Sequence, residues 1–162
     1  MLAPALKRLD VRAASDADLN GSLALLAWER QKNPWLDTAP DLLRAAMKRQ
    51  PEGCRACVAE RDGELVGFGL YEVVAGTVGA AMIRSLLVAP RSRRAGIGLR
   101  LLEYCVADLA ARRARVIFAE VPGDTHVGRY RALLLSYGFF EEARIENFYQ
   151  DGIPQIISRL DL

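Results

Sequence analysis

Residues 88–102 read Val-Ala-Pro-Arg-Ser-Arg-Arg-Ala-Gly-Ile-Gly-Leu-Arg-Leu-Leu, and this run constrains the chain more than any other segment. An apolar stretch, Met82 to Val88, enters a short loop that holds Arg91, Arg93 and Arg94. Gly96 and Gly98 follow, and a helical pattern begins at once, with Arg100 in its first turn. Strand, glycine loop and helix start are the parts of a main-chain anion site. Glycines lack a Cβ, so several N–H groups can converge, and the positive end of the helix dipole lies behind them. A phosphate or pyrophosphate is the expected guest. In the blander reading the arginines only solvate a surface turn that the glycines make. Four arginines around two glycines at a helix start favour the anion site.

Two familiar phosphate motifs do not fit. A dinucleotide fingerprint needs a third glycine three residues after Gly98, where Leu101 stands, although Glu120 meets its request for an acid about 20 positions on. A P-loop needs Lys-Ser or Lys-Thr after the last glycine, and neither follows Gly98.

Composition narrows the class. At 162 residues the chain is expected to form one domain over 1–162. Hydrophobic content of 51% and charged content of 26% suit a globular protein. Twenty-two basic residues face 20 acidic ones, and a net charge of +2 argues against nucleic-acid binding driven by bulk charge. Cys54, Cys57 and Cys105 make no disulfide framework. Cys54-x-x-Cys57 resembles half a zinc site, but no second pair exists and His126 is the only histidine, so no metal is expected. The cysteines read as small apolar residues at a strand start. The longest apolar runs fall well short of a membrane span, and no signal peptide is visible. A reduced cytoplasm is the expected location, without a membrane partner.

Along the chain, Leu9 to Ala13 reads as a strand. Ser15-x-x-Asp18 opens a helix with a capping-box pattern, carrying Leu19, Leu23, Leu26 and Ala27 at helical spacing and fading near Lys32, before the Asn33-Pro34 break. Thr38-Ala-Pro40 starts a second helix, Asp41 to Lys48, closed by Pro51 and Gly53. Residues from Arg55, the Asp62-Gly63 turn and Leu65 to Val74 form a hairpin, and Thr77 to Val88 adds a third strand. The helix after the glycine loop buries Leu101, Leu102, Cys105, Val106, Leu109 and Ala110. Arg112, Arg113 and Arg115 gather at its end. A strand at Val116 to Val121 and a helix from about Val127 to Ser136 follow, the latter stopped at Tyr137-Gly138-Phe139. Ala143 to Tyr149 and Pro154 to Leu160 are the last strands, flanking Asp151-Gly152.

Arg93-x-x-Gly96-x-Gly98, after the Val88-x-Pro90 strand exit, resembles the acyl-CoA binding motif Q/R-x-x-G-x-G/A of the GNAT superfamily of N-acyltransferases. The order of elements is similar to the GNAT order over nearly the whole chain, and Gly138-Phe139 matches the superfamily ending of the last helix. The resemblance implies an α/β (α+β) GNAT fold: a mixed central sheet of about six to seven strands flanked by about four helices. It also implies transfer of an acetyl group from acetyl-CoA, as co-substrate, to a primary amine of a small molecule or protein by direct attack. A homodimer is left open. In relatives the strand before the loop bonds the pantetheine arm and the loop amides take the pyrophosphate. Carried over, these are Leu86, Leu87 and Val88, then Arg93, Arg94, Ala95, Gly96, Ile97 and Gly98.

An amine resembling the lysine ammonium has a pKa near 10.4 and must lose a proton before it attacks. The departing thiol, near 8.5, gains from an acid but does not strictly require one. Glu120 is the first candidate base, the one charge on an otherwise apolar strand beside the acyl-CoA site of relatives; a solvated or arginine-paired carboxylate is the other reading. Many members place a tyrosine four residues before Gly-Phe as the acid and an asparagine seven residues earlier; here those positions hold Leu134 and Val127. Tyr149 and Tyr130 are the substitutes, with His126 one turn before Tyr130 and Tyr137 more remote; for each tyrosine core packing is the alternative. Trp28, Glu29, Trp35 and Glu72 are candidates for the amine pocket. The competing function is a catalytically silent acyl-CoA binding module of the same fold.

Overall fold

The computed structural model describes residues 8–36, 39–48, 53–124 and 127–162. Within them run β1 (Leu9–Ala13), α1 (Leu19–Arg30), α2 (Ala39–Met47), β2 (Arg55–Arg61), β3 (Glu64–Val73) and β4 (Ala80–Val88). Then come α3 (Ile97–Ala111), β5 (Val116–Pro122), α4 (Gly128–Tyr137), β6 (Phe140–Gln150) and β7 (Ile153–Asp161). The strands form one seven-stranded sheet in the order β1-β2-β3-β4-β5-β7-β6. Neighbours are antiparallel except β4 and β5, which are parallel and joined by the α3 crossover. This is the mixed sheet with four α-helices that the resemblance implies.

Each face of the sheet buries its own apolar cluster. Under α3 lie Ile83, Leu101, Leu102, Cys105, Leu109, Ile117 and Leu134. Under α1 and α2 lie Leu26, Leu43, Val58, Phe68, Leu70 and Leu87. Cys57 and Cys105 are buried in the first cluster with their Sγ atoms 3.6 Å apart, which fits their reading as small apolar residues. The Asp62-Gly63 turn adopts the left-handed pair of conformations that a tight hairpin needs, φ 53° and 83°.

Several boundaries differ from expectation. The Ser15 box forms, with Ser15 donating from N and Oγ to Asp18, but it caps a short 3-10 turn, Asp16–Asp18, ahead of α1. Arg12 donates twice to the same carboxylate and thereby holds Asp18 down at about 2. On α1 the buried positions are Ser22 and Leu26, and Ala27 is exposed; on α3 Ala110 likewise faces solvent. The third meander strand starts at Ala80 because Thr77 closes the turn, donating to the Val74 carbonyl and accepting from Ala80 N–H. β6 begins three residues early: almost every residue on this edge strand is exposed, so no buried alternation marks its ends.

Leu134 is fully buried under α3 and does not face solvent or a cleft. Leu134→Tyr overpacks the core and is expected to cost about 1–3 kcal/mol, read as a lowered urea midpoint.

Candidate functional site

The site originates in one extra residue. Across β3 and β4, Tyr71 opposes Ile83 and Leu70 opposes Ser85, so Arg84 has no residue opposite it on β3. This bulge reverses the facing of β4: Ile83 packs under α3, then Leu86 and Val88 take that side while Leu87 enters the opposite cluster. A bulged strand bends and twists. Pairing of β4 with β5 accordingly stops at Ile83 and Ala119, although β4 runs on to Val88 and β5 to Pro122. The two parallel strands diverge into a wedge, and the far half of β4 turns an unladdered edge toward it.

The wedge opens into a cleft of about 400 Å³. Leu86, Leu87 and Val88 line one wall, and Arg93, Arg94, Gly96, Ile97 and Gly98 close the end. Ala95 is exposed and lies outside the lining. The two glycines do different work. Gly96 takes φ 74° with nothing within 4 Å of a would-be Cβ, and Arg94 before it takes φ 63°; alternating handedness of this kind turns successive amides toward one point. Gly98 instead lets α3 approach its neighbours, since a Cβ there would stand 3.2 Å from Leu133 and within 3.9 Å of Leu86 and Val88. The first turn of α3 adds amides without intrahelical acceptors.

The arginines divide in the same way. Arg93 donates to the Val88 carbonyl at 3.0 Å and to Glu29 at 2.7 Å, and it lies over the Trp28 ring. Its charge is spent on binding the loop to α1. Arg91 and Arg94 are exposed and have no partner among the described residues, whereas Arg100 faces Glu103 at 3.7 Å. Arg129, at the start of α4, also reaches the cleft without a described partner. The sequence reading missed it, because only the packing of α4 beside α3 brings it to the loop.

A second cavity of about 150 Å³ adjoins the first on the α1–α2 side of the sheet. Glu120 and Asn33 line both. Tyr149 lines the second alone, with a hydroxyl pushed upward by burial, drawn back by its hydrogen bond with Gln155 and raised again by the Glu120 charge. Tyr130 lines the first alone. Its hydroxyl is buried with no hydrogen-bond partner, and burial raises its pKa well above the usual phenol value. The two tyrosines thus border different cavities, and Glu120 borders both. His126 lies outside the described residues, as does the side chain of Trp35. Glu72 is paired with Arg84, and Trp28 lines neither cavity, lying instead beneath Lys32 and Arg93. Asn33 had no signal beyond its place before Pro34. No group of three or more His, Cys, Asp or Glu among the described residues could hold a metal ion.

A cleft between diverging parallel strands, ending in a left-handed glycine turn with free cations, suits a long ligand that carries phosphates at one end. Comparison with solved structures agrees on the architecture. A GNAT-family protein from Desulfovibrio desulfuricans superposes with a TM-score of 0.82 at 24% identity, covering 95% of this chain and 99% of the other. The ribosomal-protein-alanine N-acetyltransferase of Brucella melitensis gives 0.75 at 25% identity, covering 94% and 99%. An aminoglycoside 6′-N-acetyltransferase complexed with coenzyme A gives 0.74 at 18% identity, covering 94% and 96%. Among curated proteins no relative matches. The acetyltransferase (GNAT) family model matches residues 21–133, which include the glycine loop and every residue named for the larger cleft, and the chain belongs to that family.

Proposed function

We propose that the protein is an N-acetyltransferase that moves an acetyl group from acetyl-CoA to a primary amine of a small molecule or a protein. The observation that carries this reading is the position of Glu120, at the junction of a cofactor-sized cleft and a smaller adjoining cavity. Coenzyme A complexed with a structural neighbour supports the same use of the larger cleft. Acetyl-CoA, when bound, supplies the thioester whose carbonyl carbon the amine attacks.

The chain's own residues divide the remaining work. The free edge of Leu86 to Val88 would bind the pantetheine arm through main-chain groups, and the amides of Arg93 to Gly98 would take the pyrophosphate, with Arg94 and Arg129 balancing its charge. Glu120 would accept the ammonium proton, directly or through water. The nitrogen adds to the carbonyl carbon, the C–S bond breaks, and the nitrogen releases its second proton to solvent as it becomes the amide. Tyr130, whose side chain lines the cleft, would protonate the sulfur after its hydroxyl, buried here without a partner, turns into the cleft, where solvent can return the proton. Tyr149 would wall the amine cavity. The same reading has one domain over residues 1–162 in the cytoplasm, supported by three free cysteines, and needs no metal, nucleic acid or membrane. A homodimer is open to test by sedimentation.

Release of free thiol from acetyl-CoA in the presence of primary amines tests the reading. Tyr130→Phe is expected to lower turnover about 10-fold, below the usual range for a general acid because a thiol leaves readily. Removing a buried unsatisfied hydroxyl should hold or raise the melting temperature. Activity lost with stability retained is the expected pair. A buried Leu134 at the family's tyrosine position favours the silent module as second reading; tight acetyl-CoA binding with no amine acylated would establish it.

A further inference from the structure

We infer that Ser85 is a further catalytic residue, whose hydroxyl donates a hydrogen bond to the thioester carbonyl oxygen of bound acetyl-CoA as the amine attacks; this rests on the acetyltransferase reading above. Past the bulge at Arg84 the side chains of β4 alternate again, so Ser85 shares the face of Leu87, on the α1–α2 side of the sheet. Glu120 takes the same side of β5, since Ala119 and Val121 on either side of it pack under α3. Ser85 lines both cavities, as Glu120 does. The residue is only 6% exposed and its backbone is held in the ladder opposite Leu70. Its Oγ has no hydrogen-bond partner among the described residues, yet it is not sealed from solvent as Asn33 Oδ1 and the Tyr130 hydroxyl are. A hydroxyl on a fixed strand, open to a cavity and unengaged, can turn its proton to whatever acceptor arrives.

Position along β4 says which acceptor that is. With the phosphates at the glycine loop, the pantetheine arm runs back along Val88, Leu87 and Leu86, and the next residue is Ser85, where the cleft meets the second cavity. A thioester delivered there meets an amine from the other side. As the nitrogen adds, the carbonyl oxygen gains negative charge, and it gives that charge back when the thiolate leaves. The Ser85 O–H would bond to this oxygen and keep its proton throughout, so no covalent bond at Ser85 forms or breaks. A donor already in place where charge develops needs no reorganisation during the reaction. Among the other residues common to both cavities, Leu36 and Pro122 have no polar side-chain atom, Glu120 is an acceptor, and Arg84 is held by Glu72. Asn33 belongs to the turn after α1, not to the strand along which the arm runs.

Ser85→Ala removes one oxygen atom and should fold with an unchanged melting temperature. Infrared difference spectra of bound acetyl-CoA, isotopically labelled at the carbonyl carbon, read the contact without any transfer. A hydrogen bond weakens the C=O bond, so the carbonyl band should lie lower in the wild type than in Ser85→Ala. Thiol release is then followed with benzylamine, an alanyl peptide and kanamycin. With whichever of these the wild type acetylates, Ser85→Ala should lower kcat about 10²-fold, the lower end for loss of an oxyanion donor, while acetyl-CoA affinity by calorimetry stays nearly the same. The deficit should be constant from about pH 6 to 10, because no proton is transferred through Ser85. A deficit that shrinks as pH rises would make the hydroxyl part of ammonium deprotonation and overturn the inference. A carbonyl band at the same position in both proteins, or an unchanged kcat, would overturn it too and leave the acetyltransferase reading intact. A band that shifts in Ser85→Ala, with none of the amines acetylated, would keep the contact between Ser85 and the thioester and overturn that reading instead.

Discussion

Glu120→Gln is expected to lower turnover about 10²-fold at neutral pH, the lower end for loss of a general base. Glu120 is exposed and supports no described ion pair, so glutamine of the same shape should leave folding unchanged. Direction with pH is fixed by the amine. Well below a pKa near 10.4 nearly every substrate molecule carries the proton that must be removed, and the base matters most. As pH rises toward that value the neutral fraction grows and the variant should converge on the wild type. Turnover of both proteins measured from about pH 6 to 10 gives the comparison. Equal turnover near neutrality would leave water as the base and Glu120 as a binding group alone.

Gly96→Asp should weaken acetyl-CoA binding by roughly 10²- to 10³-fold, the scale of two like charges about 4 Å apart near a protein surface. A side chain at this position has room, since nothing lies within 4 Å of its Cβ, but φ 74° strains most residues. Asn and Asp tolerate that region best, so Gly96→Asn separates the two effects. Asparagine should lose little affinity and aspartate nearly all, with part of the loss recovered at high salt. Calorimetry on the three proteins reads this directly. Equal affinities would remove the loop from the binding site.

How far the sequence disclosed these features depends on their range. β1 was readable at both ends, and the Asp62-Gly63 hairpin from its turn chemistry alone, because both are local. The glycine loop was equally local. Its two glycines were given one purpose, however, since the contact of Gly98 with Leu133 exists only once α4 has packed on α3. Leu134 and Tyr130 sit one turn apart on α4, and periodicity could not say which of them met the core and which the cleft. Asn33 and Arg129 belong to elements far apart in the chain, and only the assembled sheet makes them neighbours of Glu120 and the loop. The bulge at Arg84 was invisible for a related reason: it is a mismatch between two strands, and neither strand carries it alone.

That unmatched residue also bears on which changes in length the chain can absorb. Losing one residue near Arg84 would bring β4 back into step with β3, return Leu86 and Val88 to the face now held by Leu87, and let β4 zip further along β5. Both hollows would narrow together, however well every other residue was kept. A residue added at the exposed Asp62-Gly63 turn would be shed into solvent, leaving the sheet beyond it unaltered. Around this gap, then, what the chain can do depends on the parity of a count, and spelling comes second.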